Sequence, residues 1–210
     1  SIVAGLHDRR GPHPGTALRP VHHMNLACAE AGRRMRAVLG DDAQIGTTNV
    51  MSVVHPYEPT DERTARRKRA LEALMVDIFL DPAGGLGYPF EATKLLAPLK
   101  RHILDGDLEA ATFRYDFMGV QYYGPLVGLR QIPLLGPTPL LSVPDGEVRI
   151  RSEVGVPLDP EGLLWTLRKY AQHPAADRLV ITEGGFGCQD RLVDGRVRDD
   201  RDRADGGPRA

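Results

Sequence analysis

Cysteine and long apolar runs are both scarce in this sequence of 210 residues. The two cysteines, Cys28 and Cys188, cannot build the disulfide framework of a small secreted domain. No apolar run approaches the roughly 18 residues that a membrane-spanning helix needs, and the first residues lack the pattern of a signal peptide. We therefore expect a cytoplasmic protein that does not engage a membrane.

An excess of charge of either sign is also missing. The chain carries 27 lysines and arginines against 28 aspartates and glutamates, for a formal net charge of -1. Proteins that bind nucleic acid through its phosphates need a basic surface. The one basic run, from Arg63 to Arg69, has the pattern of a solvated helix face. We predict no nucleic-acid partner.

Histidine and tryptophan have ordinary structural explanations here. The spacing of His7, His13, His22 and His23 matches no zinc signature, so we predict neither a metal nor a cofactor. The single tryptophan, Trp165, falls on a predicted helix, where packing is favoured over stacking on a sugar ring.

The sequence does contain an alternation of helical and strand-like segments. The predicted order is a helix after Pro20, a strand over 43–50, a helix capped by Thr60 or Asp61, a short helical piece over 95–104, a strand over 116–123, a helix over 161–173 and a strand over 178–182. This alternation predicts parallel strands joined by helical crossovers, which is the α/β class.

Two segments break the alternation. The 23 glycines and 17 prolines make up about 19% of the 210 residues. These two residue types usually supply roughly 12% of a protein. Several of the prolines lie in 124–160, which we predict to be a loop. Residues 189–210 hold six aspartates and six arginines with few apolar side chains, so we predict a disordered tail. Residues 1–188 are predicted to form the folded domain.

One carboxylate stands out by its position. The run Ile181-Thr-Glu-Gly-Gly185 places Glu183 at the carboxyl end of a predicted strand. In a βα architecture this end of the sheet faces the mouth of the active site. Glu183 is therefore a candidate nucleophile or base, although a lone glutamate at a strand end is also common as a loop anchor.

An ordered set of motifs is more specific than any single residue. Read in order, residues 11–199 resemble glycoside hydrolase family 1, the β-glucosidase-like retaining glycosidases. The matching motifs include Gly11-Pro-His-Pro-Gly15, His22-His-Met-Asn-Leu-Ala27, Phe79-Leu-Asp-Pro82, Asp116-Phe-Met-Gly-Val-Gln-Tyr-Tyr123, Ile181-Thr-Glu-Gly-Gly185 and Asp194-Gly-Arg-Val197.

The resemblance implies a (β/α)8 TIM barrel of which this chain carries only part. By its place in the family order, the chain would begin after the fourth strand, contain the fifth to seventh strands and end before the eighth. Such a C-terminal-half fragment leaves strand edges uncovered, and exposed edges recruit other chains. We therefore expect self-association through the open barrel edges.

The resemblance also implies a set of site residues. Glu183 corresponds to the family nucleophile, and Tyr123 to the tyrosine that orients it. Gln121 stands where the family usually has a substrate-binding asparagine, and Gly184 replaces the asparagine after the nucleophile. The acid/base motif Asn-Glu-Pro is absent from the sequence, and Tyr57-Glu-Pro59 comes one βα unit too late to replace it.

The implied function is hydrolysis of O-glycosyl bonds by the double displacement of a retaining β-glucosidase, which uses two carboxyl groups about 5 to 5.5 Å apart. The substrate would be a β-glycoside or oligosaccharide, and this chain would carry only the nucleophile half of the site. Two alternatives stay open at this point. The chain could be an inactive sugar-binding or structural remnant, or one half of a split enzyme.

Overall fold

Three parallel strands form the centre of the protein. The computed structural model describes residues 14–132, 134, 136–141, 150–153, 155–188, 191–193 and 195–198. Strands β1 (Gly46–Val50), β2 (Phe117–Tyr122) and β5 (Leu179–Gly184) lie side by side in the order β1-β2-β5, and both pairings are parallel. This sheet with its helical connections confirms the predicted partial barrel.

The helices follow the predicted order with shifted ends. They are α1 (Pro14–Leu39), α2 (Glu62–Glu72), a π-helical turn (Ala73–Asp77), α3 (Ile78–Ala83), a 3-10 helix (Lys94–His102), α4 (Asp107–Ala111) and α5 (Pro160–Tyr170). The carboxylate of Asp61, one of the two predicted caps, caps α2 by accepting the Thr64 N–H at 2.9 Å. The first helix begins before Pro20, since Pro14 already provides a proline at its start. No helix in the described part of the chain is long and apolar enough to cross a membrane.

The prediction of a loop over 124–160 was wrong for part of that segment. Strands β3 (Val127–Ile132) and β4 (Gly136–Leu141) form an antiparallel hairpin there. The prolines of β4 are compatible with this pairing because each strand of a two-stranded sheet has one free edge, where a proline removes no ladder hydrogen bond. Proline content alone therefore misled the prediction.

A short hairpin also forms inside the segment for which the sequence predicts disorder. Strands β6 (Arg191–Val193) and β7 (Arg196–Arg198) pair antiparallel. The rest of that segment, residues 189, 190, 194 and 199–210, lies outside the described residues, as do 1–13 with the first two histidines. The prediction of disorder stays a prediction for those residues of the tail.

The helices cover one face of the central sheet. Met118, Val120 and Tyr122 alternate along β2 and are buried in a cluster with apolar side chains from the helices, among them Leu80 and Tyr170. Burying a large apolar side chain stabilises a fold by roughly 1.5 to 3 kcal/mol. The odd-numbered residues of β2 point to the opposite face, because side chains alternate along a strand. We call the helix-covered side the outer face and the opposite side the inner face.

A buried glutamate joins the helices to the loop after β1. One carboxylate oxygen of Glu72 accepts the Val54 N–H at 2.9 Å and lies 2.7 Å from Lys68 Nζ. The other oxygen lies 3.0 Å from Lys169 Nζ on α5. Burial raises the pKa of Glu72, but the ammonium groups of Lys169 and Lys68 outweigh it and hold the pKa below the ordinary value. The fold therefore stabilises the ionised carboxylate.

Replacing this glutamate should destabilise the chain in a pH-dependent way. Glu72→Gln should lower the free energy of unfolding by about 3 kcal/mol near neutral pH, because it leaves two partly buried ammonium groups without their main counter-ion. Since the folded state depresses the pKa, the loss should shrink as the pH falls below the ordinary value of 4.5. Urea unfolding at several pH values measures this.

The matched control lies on the same helix. Glu62 pairs with Arg69 at 3.5 Å on the exposed face of α2, and exposed pairs of this kind contribute at most about 1 kcal/mol. Glu62→Gln should therefore change the unfolding free energy little. Equal losses for Glu62→Gln and Glu72→Gln would contradict the role assigned to the buried network.

Candidate active site

Three predicted site residues meet at the carboxyl ends of β2 and β5. Gln121 lies in β2, Tyr123 directly follows β2, and Glu183 lies in β5. The Gln121 amide Nε2 donates to Glu183 Oε1 at 2.6 Å, and the Tyr123 hydroxyl donates to Glu183 Oε2. Each carboxylate oxygen therefore has one side-chain donor.

The tyrosine is held as a donor by the carboxylate. The hydrogen bond to Glu183 raises the pKa of the Tyr123 hydroxyl above its ordinary value, so the phenol keeps its proton. Both side chains are exposed, and the carboxylate is reachable from the inner face of the sheet. A carboxylate that is oriented from two sides and open to solvent is suited to nucleophilic attack.

One extra residue in β5 brings the carboxylate to this face. Val120 pairs with Ile181, but Gln121 pairs with Glu183, so Thr182 is an insertion in the register. In an uninterrupted parallel ladder Glu183 would pair with Tyr122, whose side chain is buried on the outer face. Because a one-residue slip moves a side chain to the other face, the bulge decides that Glu183 lies beside Gln121.

A contact across the middle strand holds the bulge. The hydroxyl of Thr182 lies 3.0 Å from the hydroxyl of Thr48 on β1, and the Thr48 hydroxyl also donates to the Gly119 carbonyl at 3.3 Å. The two threonines meet over Gly119 because that residue has no side chain. A Cβ at this position would lie 2.9 Å from atoms of both threonines.

Thr48, Gly119 and Thr182 were not among the predicted site residues. The signal for Gly119 is a glycine inside a strand, which often marks a close approach of neighbouring groups. No comparable signal marks Thr48 or Thr182, because threonine is an ordinary strand residue. Their partnership becomes visible only once the register of the three strands is known.

Other candidate groups have structural partners. His22 is fully buried, with Nδ1 2.8 Å from the Tyr88 hydroxyl and Nε2 2.9 Å from Asp107. Its ring nitrogens therefore already have partners within the fold. Among the described residues, no group of three or more histidine, cysteine, aspartate or glutamate side chains is arranged to hold a metal ion.

The tryptophan is engaged in packing, as its position on a predicted helix favours. The Trp165 ring stacks on Tyr57 with the ring centroids 6.4 Å apart, and the Arg168 guanidinium lies 5.5 Å from the Trp165 ring centroid. Neighbouring Glu58 is exposed, and the described contacts do not connect it with Glu183.

Comparison with known proteins gives a consistent result. The model of glycosyl hydrolase family 1 matches residues 11–205. The thermostable beta-glucosidase B of Thermobispora bispora is 32% identical over 208 residues, which cover 94% of this chain and 41% of that enzyme. The bifunctional beta-D-glucosidase/beta-D-fucosidase of Bifidobacterium breve is 27% identical over 205 residues, or 90% of this chain and 43% of that enzyme.

Solved structures agree on the fold. The psychrophilic beta-glucosidase of Micrococcus antarcticus superimposes with a TM-score of 0.74 at 27% identity, over 95% of this chain and 47% of that structure. This chain therefore spans less than half the length of the relatives it matches.

The threonine contact over Gly119 gives a testable prediction. Gly119→Ala should destabilise the chain by about 2 kcal/mol, because the added methyl group forces the two threonines apart in a packed region. The free energy of unfolding, measured by urea denaturation, checks this. Gly187→Ala is the control, since a Cβ there meets no atom within 4 Å. Equal effects of the two substitutions would show that the threonines do not constrain the strand.

Proposed function

This chain belongs to glycosyl hydrolase family 1, and from that premise we propose that it supplies the nucleophile of a retaining, β-glucosidase-type reaction. Glu183 is the attacking carboxylate and Tyr123 orients it. Gln121 contacts the sugar. The substrate is a β-glycoside or an oligosaccharide with such a bond.

One observation carries this proposal. The two oxygens of the Glu183 carboxylate each accept a hydrogen bond, from Gln121 and from Tyr123, at the open carboxyl end of a parallel sheet. In a βα fold this is the end where active sites form. The arrangement fits a carboxylate that must stay ionised and aimed until a sugar arrives.

The reaction proceeds in two displacements. First, an oxygen of Glu183 forms a bond to the anomeric carbon while the glycosidic bond breaks, and its electron pair leaves with the aglycone oxygen, which takes a proton from an acid. Second, water attacks the same carbon and gives its proton to the conjugate base of that acid. The ester bond to Glu183 breaks as the water oxygen bonds to that carbon, so Glu183 leaves as a carboxylate and the sugar is released with retained configuration.

The acid in this scheme must be a second carboxyl group about 5 to 5.5 Å from the nucleophile. The sequence contains no Asn-Glu-Pro motif, and Glu58 follows β1 rather than the strand before it. The proposal therefore assigns the acid to a part of the fold that this sequence does not carry, either on a joined segment or on a separate chain. The 210 residues alone should hydrolyse an unactivated disaccharide about 10² to 10⁴ times more slowly than a complete site that includes this acid.

The nucleophile is testable by covalent labelling. This chain should be co-expressed with the parts of the Thermobispora bispora enzyme that it does not match, and the assembly treated with a 2-fluoro glucoside carrying a dinitrophenolate leaving group. Such a leaving group departs without a proton, so a glycosyl ester should accumulate on Glu183. Peptide mass spectrometry locates it. Tyr123→Phe should slow the labelling about tenfold, because one charge-assisted hydrogen bond is lost.

Two glutamate variants complete the experiment. Glu183→Gln should abolish the label, whereas Glu58→Gln, the matched control in the loop after β1, should leave it unchanged. A label on any carboxylate other than Glu183 would contradict the assignment. An assembly that folds and binds sugar but never becomes labelled would favour an inactive sugar-binding remnant.

The free strand edges carry the second part of the proposal, which is association of this chain with further copies of itself. Among the described residues, β1 and β5 each pair with β2 alone. Their exposed apolar side chains include Val50, which is 47% exposed, and Ile181, which is 52% exposed. Unpaired edges with apolar side chains favour pairing with another chain.

Light scattering of the purified chain measures this association. We expect dimers or larger species, and Val50→Lys should reduce them because a lysine on an edge strand opposes pairing. Val38→Lys on α1 is the control, since Val38 is 82% exposed but lies on a helix. A monodisperse monomer with a cooperative thermal transition would overturn the expectation.

A further inference from the structure

Gln121 has a contact that its assignment as a sugar-binding residue does not explain. Its Nε2 donates to Glu183 Oε1 at 2.6 Å, while Tyr123 donates to the other oxygen of the same carboxylate. Gln121 and Glu183 are direct partners in the ladder because of the bulge at Thr182. Backbone register and side-chain contact therefore link the same two residues.

A glutamate carboxylate needs two donors to be fixed in orientation. Rotation about its terminal bond is soft and roughly two-fold, so the hydrogen bond from Tyr123 alone leaves the plane of the carboxylate free to turn. A second donor on the other oxygen fixes that plane. Each oxygen keeps a further acceptor site, which leaves a lone pair for attack.

The length of the Gln121 side chain matters for this contact. Asparagine is shorter by one carbon, or about 1.5 Å of reach. With the backbone and Glu183 in the same positions, we expect its amide nitrogen to end beyond the ~3.2 Å limit of an N–H···O hydrogen bond. We therefore expect the contact to need the longer glutamine side chain.

We propose that Gln121 is a positioning residue for Glu183: its amide and the Tyr123 hydroxyl together fix the plane of the nucleophile. The inference rests on the proposed function. The amide has a second N–H and an oxygen, so the same side chain keeps groups with which to bind the sugar, and this would couple the orientation of the nucleophile to sugar binding. Asparagine is the usual family residue at this position, so the resemblance alone predicts that Gln121→Asn raises the activity. The geometry predicts a loss.

The hydrogen bond itself is measurable on the full chain by NMR. The sequence has five glutamines and two asparagines, so the side-chain amide signals are few enough to assign. An Nε2 proton of Gln121 should exchange with solvent severalfold more slowly than those of Gln172, which is exposed in the turn after α5. Glu183→Ala should remove the difference. The amide introduced by Gln121→Asn should exchange as fast as that of Gln172.

The effect on reactivity is measured as the rate of labelling by the activated 2-fluoro glucoside, with and without the complementing segments. Gln121→Leu and Gln121→Asn should both slow the labelling about tenfold, since a misaimed nucleophile loses orientation. They should do so at saturating glucoside, where weaker sugar binding has no effect on the rate. Gln172→Leu is the matched control and should leave the rate unchanged.

The two readouts separate this inference from the proposed function. Exchange at Gln121 that is fast, or that Glu183→Ala does not alter, overturns the positioning role. Labelling of Glu183 at an unchanged saturating rate in Gln121→Leu also overturns it and leaves the proposed function standing. A slow-exchanging Gln121 proton that depends on Glu183, in a chain that never becomes labelled, supports the contact while the proposed function fails.

Discussion

The single extra residue in β5 is the constraint on which the site depends. Thr182 has no partner in the ladder between β2 and β5, and its insertion moves Glu183 from the register position of buried Tyr122 to that of Gln121. A carboxylate beside Tyr122 would have to be desolvated against the apolar cluster, which is costly without a counter-ion. On the inner face it meets two donors instead.

The two faces of the sheet have different roles: the outer face stabilises the fold, and the inner face carries the candidate site. On the outer face, Met118, Val120 and Tyr122 pack against the helices and fix the middle strand. On the inner face, Gly119 leaves space in which Thr48 and Thr182 meet. The packed side therefore holds β2 in place, and the polar contact on the other side holds the bulge of β5 against it. Site geometry follows from both.

Local sequence patterns were sufficient for the three parallel strands and the helices between them, though not for the two hairpins, and they singled out Glu183 as a candidate. A cap on α2 from Thr60 or Asp61 and a strand close to Phe117–Tyr122 both follow from residue types within a few positions of one another. The bulge does not follow from local sequence. The sequence of β5 is the same whether the strand pairs with or without the bulge, and the choice depends on which residues of β2 lie opposite. The prolines around Thr138 led to the wrong prediction of a loop for a related reason, since the effect of a proline depends on which edge of the strand is paired.

The role proposed for Gln121 could not be predicted from the sequence for the same reason. Resemblance to the family identifies the position, but the consequence of one additional methylene depends on the distance to Glu183. That distance is set by the bulge, which lies on a strand about sixty residues further along the chain.

The most direct test of this account is the position of the Glu183 side chain in solution. Carbon-edited nuclear Overhauser spectra of the chain should show contacts from the Glu183 Hγ protons to the side chains of Gln121 and Tyr123. Contacts to Met118 or Tyr122 in their place would show that β5 pairs without the bulge and that the carboxylate lies on the outer face, contrary to the account.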